Sequence, residues 1–222
     1  MEWFGYLVAV IVTIWGVISA FRSHMKDGDR WSEFALNNGL EPNKTVLGPH
    51  AMNGVWAGVE VEVTDLRTGK RGEFSTTKYV ARFSQPVPDG LFISPEGFMG
   101  GMGFVNTLRK WRGYKDIAIG DPEFDEEVFV TGRDEAGIRR LLDDPAVRAS
   151  VWELVTEYEG KVDHDKGVIM NTDGTDMDGD VIQTKISVVV AVASAIQRAH
   201  ARCGSGLSGE LSGKWKEEGG AT

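Results

Sequence analysis

The sequence predicts an α+β protein: one N-terminal transmembrane helix followed by a mostly antiparallel sheet with packed helices. Three observations predict it. An uncharged apolar run opens the chain. Period-two segments separated by Gly and Pro turns fill its first half. Capped segments of helical period dominate its second half.

The run Trp3–Phe21 reads WFGYLVAVIVTIWGVISAF and holds no charged residue. At about 1.5 Å per residue its helix is about 28 Å long, close to the hydrocarbon thickness of a bilayer. Trp3 and Tyr6 sit near one end, where amphipathic rings favour the interface. A cleaved signal peptide calls for a positive leader and a shorter apolar core. Here the flank is Met1-Glu2, and Ile18-Ser19-Ala20 makes a poor cleavage site. A retained single-pass anchor with its linker, residues 1–27, is therefore expected. Arg22, Lys26 and Arg30 follow the run and no basic side chain precedes it. Basic residues favour the cytoplasmic side, which puts the large domain in the cytoplasm. The single cysteine, Cys203, excludes an internal disulfide framework.

Removing the anchor leaves enough chain for one good core or two small ones. The formal net charge of -9 opposes a nucleic-acid role, which needs a basic stripe. It is also the ordinary surface of a soluble domain. The soluble domain is expected over residues 28–202, with a disordered Gly/Ser-rich tail over residues 203–222.

Arg22–Arg30 reads as a polar juxtamembrane linker. Trp31, Phe34, Ala35 and Leu40 recur at helical spacing, and Asn38-Gly39 is a stop signal. Val46-Leu47 reads as a short strand. Val55–Thr64 reads as one strand, because Val59, Val61 and Val63 alternate with Glu60 and Glu62. Thr68-Gly69-Lys70 is a turn, and Glu73–Phe83 returns as its antiparallel partner. Gln85–Gly90 breaks the pattern before a short strand at Leu91–Ile93. Gly97–Gly103, GFMGGMG, reads as an irregular connection, or as a hinge, lid or membrane-touching loop. Leu108, Trp111 and Tyr114 interleave with Arg109, Lys110, Arg112 and Lys115, as at a helix end or a headgroup surface.

Ile117 and Ile119 alternate as a strand, and Gly120-Asp121-Pro122 has turn chemistry with Phe124 free to enter the core. Val128–Val130 is another strand, ended by Gly132. Asp134 caps a short helix carrying Ile138, Leu141 and Leu142. Asp144-Pro145 starts the next, with an N-cap and then Pro at the first helical position. Asp163–Gly167 is a hairpin turn between Val162 and Val168. A last helix is expected over Val181–Arg202. Its apolar stretch Ile186–Ile196 reads as too short to span a membrane, and so as a core helix.

The signatures of known chemistry are missing from the sequence. It has no phosphate-binding loop ending in Lys-Ser/Thr, no dinucleotide fingerprint and no nucleophile elbow. His24, His50, His164 and His200 lack ligand spacing, which opposes a zinc site. No catalytic residue and no cofactor are assigned. The acidic loop Asn171–Asp180 offers Asp173, Asp176, Asp178 and Asp180 as candidate cation ligands, with calcium the natural guest. The spacing is not that of an EF-hand: counted from Asp176, the sixth position is Val181 rather than Gly and the twelfth Ser187 rather than Glu. A solvated connection whose final Asp caps the last helix accounts for the loop more simply. Asp121 and Asp125 form a candidate acid–base pair, although turn formation explains Asp121 with fewer assumptions.

With the apolar run come WSEFALNNGL at Trp31–Leu40, the stretch Gly54–Gly58, DIAIGDPEFDEEVFVTG and LLDDPAVRASVWEL. Over Trp31–Met170 the chain resembles a group of bacterial membrane-anchored proteins of unknown function, most specifically in the GDP-x-FD stretch. The resemblance implies an α+β domain tethered to a membrane and brings no activity, substrate or site residues. The expected function is a membrane-tethered, non-catalytic binding or assembly module. The bilayer is its partner through Trp3–Phe21, together with a protein partner or a second copy, and no nucleic acid. The alternatives are a structural component of an envelope complex or a tethered enzyme with an unrecognised site.

Overall fold

A computed structural model of the chain describes residues 2–43, 50–68, 74–96 and 115–214. Among these, nine strands form one sheet in the order β1-β2-β3-β4-β9-β8-β5-β7-β6. Every named pair of neighbours is antiparallel. The α+β class with an antiparallel sheet and packed helices is thus the observed one.

Helix α1 spans Glu2–Asn37 without interruption. The polar linker expected over Arg22–Arg30 is instead helical and joins the apolar run to the Trp31 segment. No proline breaks the stretch. Gly28, which costs a helix about 1 kcal/mol relative to Ala, lies where a Cβ would come within 2.8 Å of His50. Close packing on buried His50 is what that glycine permits. The helix stops where expected. Gly39 takes φ +71°, and Leu40 N–H reaches the Ala35 carbonyl at 2.8 Å, the six-to-one bond of a Schellman cap. Leu40 then enters the core.

β1 is Glu41–Asn43, β2 Ala51–Trp56 and β3 Val59–Thr68. The single strand expected over Val55–Thr64 is therefore two. Ala57 and Gly58 both adopt positive φ, and Trp56 pairs with Val59, a two-residue hairpin matched to strand twist. β4, Phe74–Ala81, pairs with β3 as expected. β5 is Phe92–Pro95 and β6 only Lys115-Asp116. Val46-Leu47, the Gly69-Lys70 turn, Gly97–Gly103 and the basic-aromatic cluster up to Tyr114 lie outside the described residues.

α2 (Pro122–Glu127) forms where the sequence indicated only a turn, and β7 is Val128–Gly132. α3 (Glu135–Leu142) and α4 (Pro145–Thr156) begin at the expected caps, Asp134 and Asp144. β8 (Lys161–Asp163) and β9 (Gly167–Asp173) make the expected hairpin. That hairpin inserts between β4 and β5, so β4 pairs with β9 and β5 with β8. α5 runs Gly179–Lys214, past the Arg202 end expected from sequence and into the segment expected to be disordered.

One core forms where α5 packs on β3, β4 and β9, with α4 and α3 beside it and the end of α1 against β1 and β2. Cross-strand neighbours Met52, Val63, Tyr79 and Met170 supply the sheet side, and Ile182, Ile186, Val189 and Ile196 the helix side. By length and composition Gly179–Arg202 is apolar enough to cross a membrane, contrary to the sequence reading. A buried core helix passes the same test, and 44% of the 18-residue apolar window within this stretch is buried inside the domain. The apolar half of α1 is the opposite case: Ile11, Val12, Ile14, Trp15, Val17 and Ile18 are exposed, whereas Trp31 and Ala35 are buried.

Candidate functional site

The acidic loop is held by its own chain. Asp176 is the hub. Lys185 Nζ donates to both carboxylate oxygens, at 3.0 and 2.9 Å, and both side chains are largely buried. Tyr79 Oη donates to Oδ2 at 2.6 Å and Thr172 Oγ1 at 3.0 Å. The backbone is gripped as well: Asp176 N–H donates to Thr77 Oγ1 at 2.9 Å, and the Trp31 indole N–H donates to the Asp176 carbonyl at 3.0 Å. Five elements thus meet at one residue: α1, β4, β9, α5 and the loop. Burial, then the hydrogen bond to Asp176 and its negative charge, push the Tyr79 phenol far above its ordinary pKa, so it stays a donor. Nearby, Thr175 Oγ1 donates to the buried Asp65 at 2.9 Å.

The other three cation candidates do not join Asp176. Asp173, Asp178 and Asp180 are exposed. Asp178 accepts from the Asp180 N–H at 2.9 Å, and its carbonyl takes the Ile182 N–H at 3.0 Å as α5 begins. The cation at Asp176 is the Lys185 ammonium. Among the described residues, the acidic and imidazole groups that come within ligand distance of one another are Asp163, His164 and Asp165. They belong to the β8–β9 turn. There Asp165 N–H donates to Asp163 Oδ1 at 3.1 Å, His164 Nε2 lies 3.1 Å from Asp165 and Lys166 Nζ 3.9 Å from Asp163.

The GDP-x-FD stretch is a backbone clamp. Asp121 caps α2, Pro122 takes its first turn and Phe124 drops into the core. Asp125 reaches back, its two oxygens accepting from the N–H groups of Ile119 at 2.8 Å and Gly120 at 2.9 Å. Both candidate acid–base carboxylates are thus engaged with backbone amides. The clamp fixes the angle at which α2 leaves the sheet.

That angle builds two clefts on either side of Trp152, a half-buried side chain of α4 that packs 6.2 Å from the Phe124 ring. The first, about 280 Å³, is lined by Phe124, Pro145, Ala149 and Trp152, with Glu123 and the Asp121–Arg148 pair also on its wall. The second, about 470 Å³, has Pro95, Val155 and Trp152 in its wall. It is rimmed by Glu96, Glu123, Glu126, Glu127, Glu157 and Glu159. None of these glutamates has a cationic partner among the described residues. Sequence reasoning missed this grouping. Its one local signal is the run Glu123–Glu127, which places three glutamates on a single short helix.

A third opening, about 570 Å³, lies between α4 and α5. Its hydroxyls at Ser150, Thr184 and Ser187 all donate to carbonyls of their own helices. No family model and no curated protein matches this chain.

Proposed function

We propose that the protein is a membrane-tethered, non-catalytic binding or assembly module, anchored through Trp3–Phe21 with its domain in the cytoplasm. One observation carries the reading: α1 is a single helix with two unlike halves. Ile11–Ser19 is exposed throughout, apolar at most positions, and such surface is driven out of water at about 25 cal/mol per Å². The other half, from Gly28 to Leu40, is built into the domain core. The tether is therefore part of the fold rather than a flexible lead. Trp31 follows Phe21 by about 15 Å along the helix axis, which keeps the domain close to the bilayer surface. Arg22, Lys26 and Arg30 are exposed just beyond the run, as the cytoplasmic orientation requires.

Flotation with phosphatidylcholine vesicles tests the anchor. The full chain is expected to float and to resist alkaline carbonate. A chain starting at Arg22, which keeps Gly28 and Trp31, is expected to stay in the dense fraction. Equal behaviour of the two overturns the anchor. Protease digestion of the domain from outside intact cells overturns the orientation alone.

A further inference from the structure

We propose that the paired clefts flanking Trp152 dock a cationic, extended segment of a partner protein, with an apolar side chain in the smaller cleft and Lys or Arg side chains among the glutamates. The proposal deepens the binding-module reading and rests on it.

The smaller cleft supplies the apolar contact. Phe124, Pro145, Ala149 and Trp152 line it, and at about 280 Å³ it falls just below the range of about 300–1,000 Å³ of small-molecule pockets. It suits a side chain better than a whole cofactor. Trp152 is shared with the larger cleft, so one aromatic ring faces both guests. A tryptophan at the centre of a recess is the usual energetic anchor of a protein interface, and its face attracts Arg and Lys.

Charge selects the guest. Several other carboxylates of the domain stand beside cations: Glu135 by Arg139, Asp144 by Arg202, Asp176 by Lys185 and, on the wall of the smaller cleft, Asp121 by Arg148. The cleft's glutamates have no such partner among the described residues. Folding brings like charges from three separate parts of the chain, at Glu96, Glu123–Glu127 and Glu157–Glu159, to one recess. The negative potential focused there repels nucleic acid and anionic lipid and draws in cations. A bare metal ion does not use the apolar cleft, and among the described residues the acidic and imidazole groups at ligand distance lie at the β8–β9 turn instead. A peptide alternating apolar and basic side chains uses both clefts. The clamp at Asp125 holds the glutamate-bearing helix, so the site is preformed rather than ordered on binding.

The test uses the full chain in phosphatidylcholine nanodiscs, where a cationic probe meets no anionic lipid. The probe is a fluorescein-labelled peptide alternating Leu with Lys and Arg. It is expected to bind, and more weakly as salt rises from about 50 mM to about 300 mM. Glu126→Gln with Glu127→Gln is expected to weaken it about five-fold, and Trp152→Ala about ten-fold. Glu135→Gln, on α3 outside both clefts, is expected to leave it unchanged. A Leu→Ser version of the probe is expected to bind several-fold more weakly. Absence of binding overturns the proposal, as does equal loss in Glu135→Gln, or a Leu→Ser probe that binds as well as the parent. The glutamine pair alters exposed side chains and so remains decisive if Trp152→Ala disturbs the fold. Failure of the chain to enter nanodiscs would count against the anchor. The clefts would then be measured on the same chain in solution.

Discussion

Two acid-rich regions of this domain behave in opposite ways. The Asn171–Asp180 loop concentrates its acids in sequence, and folding then separates them. Asp176 goes inward to Lys185, Tyr79 and Thr172, and the other three aspartates stay outside. The Trp152 cleft is the reverse. Its glutamates come from three stretches of the chain, and folding gathers them with no cationic partner among the described residues. Local acidity therefore marked a structural hub and passed over the recess with unbalanced charge. What separates them is compensation: a carboxylate that already has an ammonium has little left to offer a ligand.

The sharpest way to break the contrast is to remove the compensation. Lys185→Ala leaves Asp176 inside the domain without its cation. A loss of about 3 kcal/mol is expected in urea unfolding. A loss below about 1 kcal/mol would mean that the loop is solvated and that the hub is not one.

Tyr79→Phe is the next largest, expected to cost about 2 kcal/mol at neutral pH for one hydrogen bond to a charged group. It also carries a pH signature. The folded-state pKa of Tyr79 is raised above the unfolded value of 10.0. Unfolded Tyr79 therefore ionises first, and the folded state holds the extra proton. The stability from this group is complete below about pH 10 and is lost as pH rises beyond it. Denaturant midpoints taken across that range should fall less steeply in Tyr79→Phe than in the parent chain. Identical slopes would remove Tyr79 from the hub.

Glu126→Gln with Glu127→Gln should give the smallest change, within about 0.5 kcal/mol and in the stabilising direction, because like charges are diluted. A clear destabilisation would show that those carboxylates are already spoken for, and the two regions would no longer differ in kind.

Features made by neighbouring residues were legible in the sequence. The caps at Asp134 and Asp144-Pro145, the stop at Asn38-Gly39, the β3–β4 pairing and the β8–β9 hairpin each depend on a few adjacent side chains and their backbone. Long-range features were not legible. The bridging of α1 across Arg22–Arg30 depends on His50 accepting Gly28, a contact invisible to local polarity. The hairpin at Ala57-Gly58 was hidden inside a run of valines that looks like one strand. Asp121 and Asp125 were legible as turn residues. What their clamp aims, the glutamates of α2 toward Trp152, was not.

By itself the sequence determined the α+β class, the helix caps and the uncharged run at Trp3–Phe21, because composition, period and capping act within a few residues. The tertiary structure alone decided which acids are neutralised and which are left open. Electrostatic compensation depends on distance in space, and the partners of Asp176 come from α1, β4, β9 and α5.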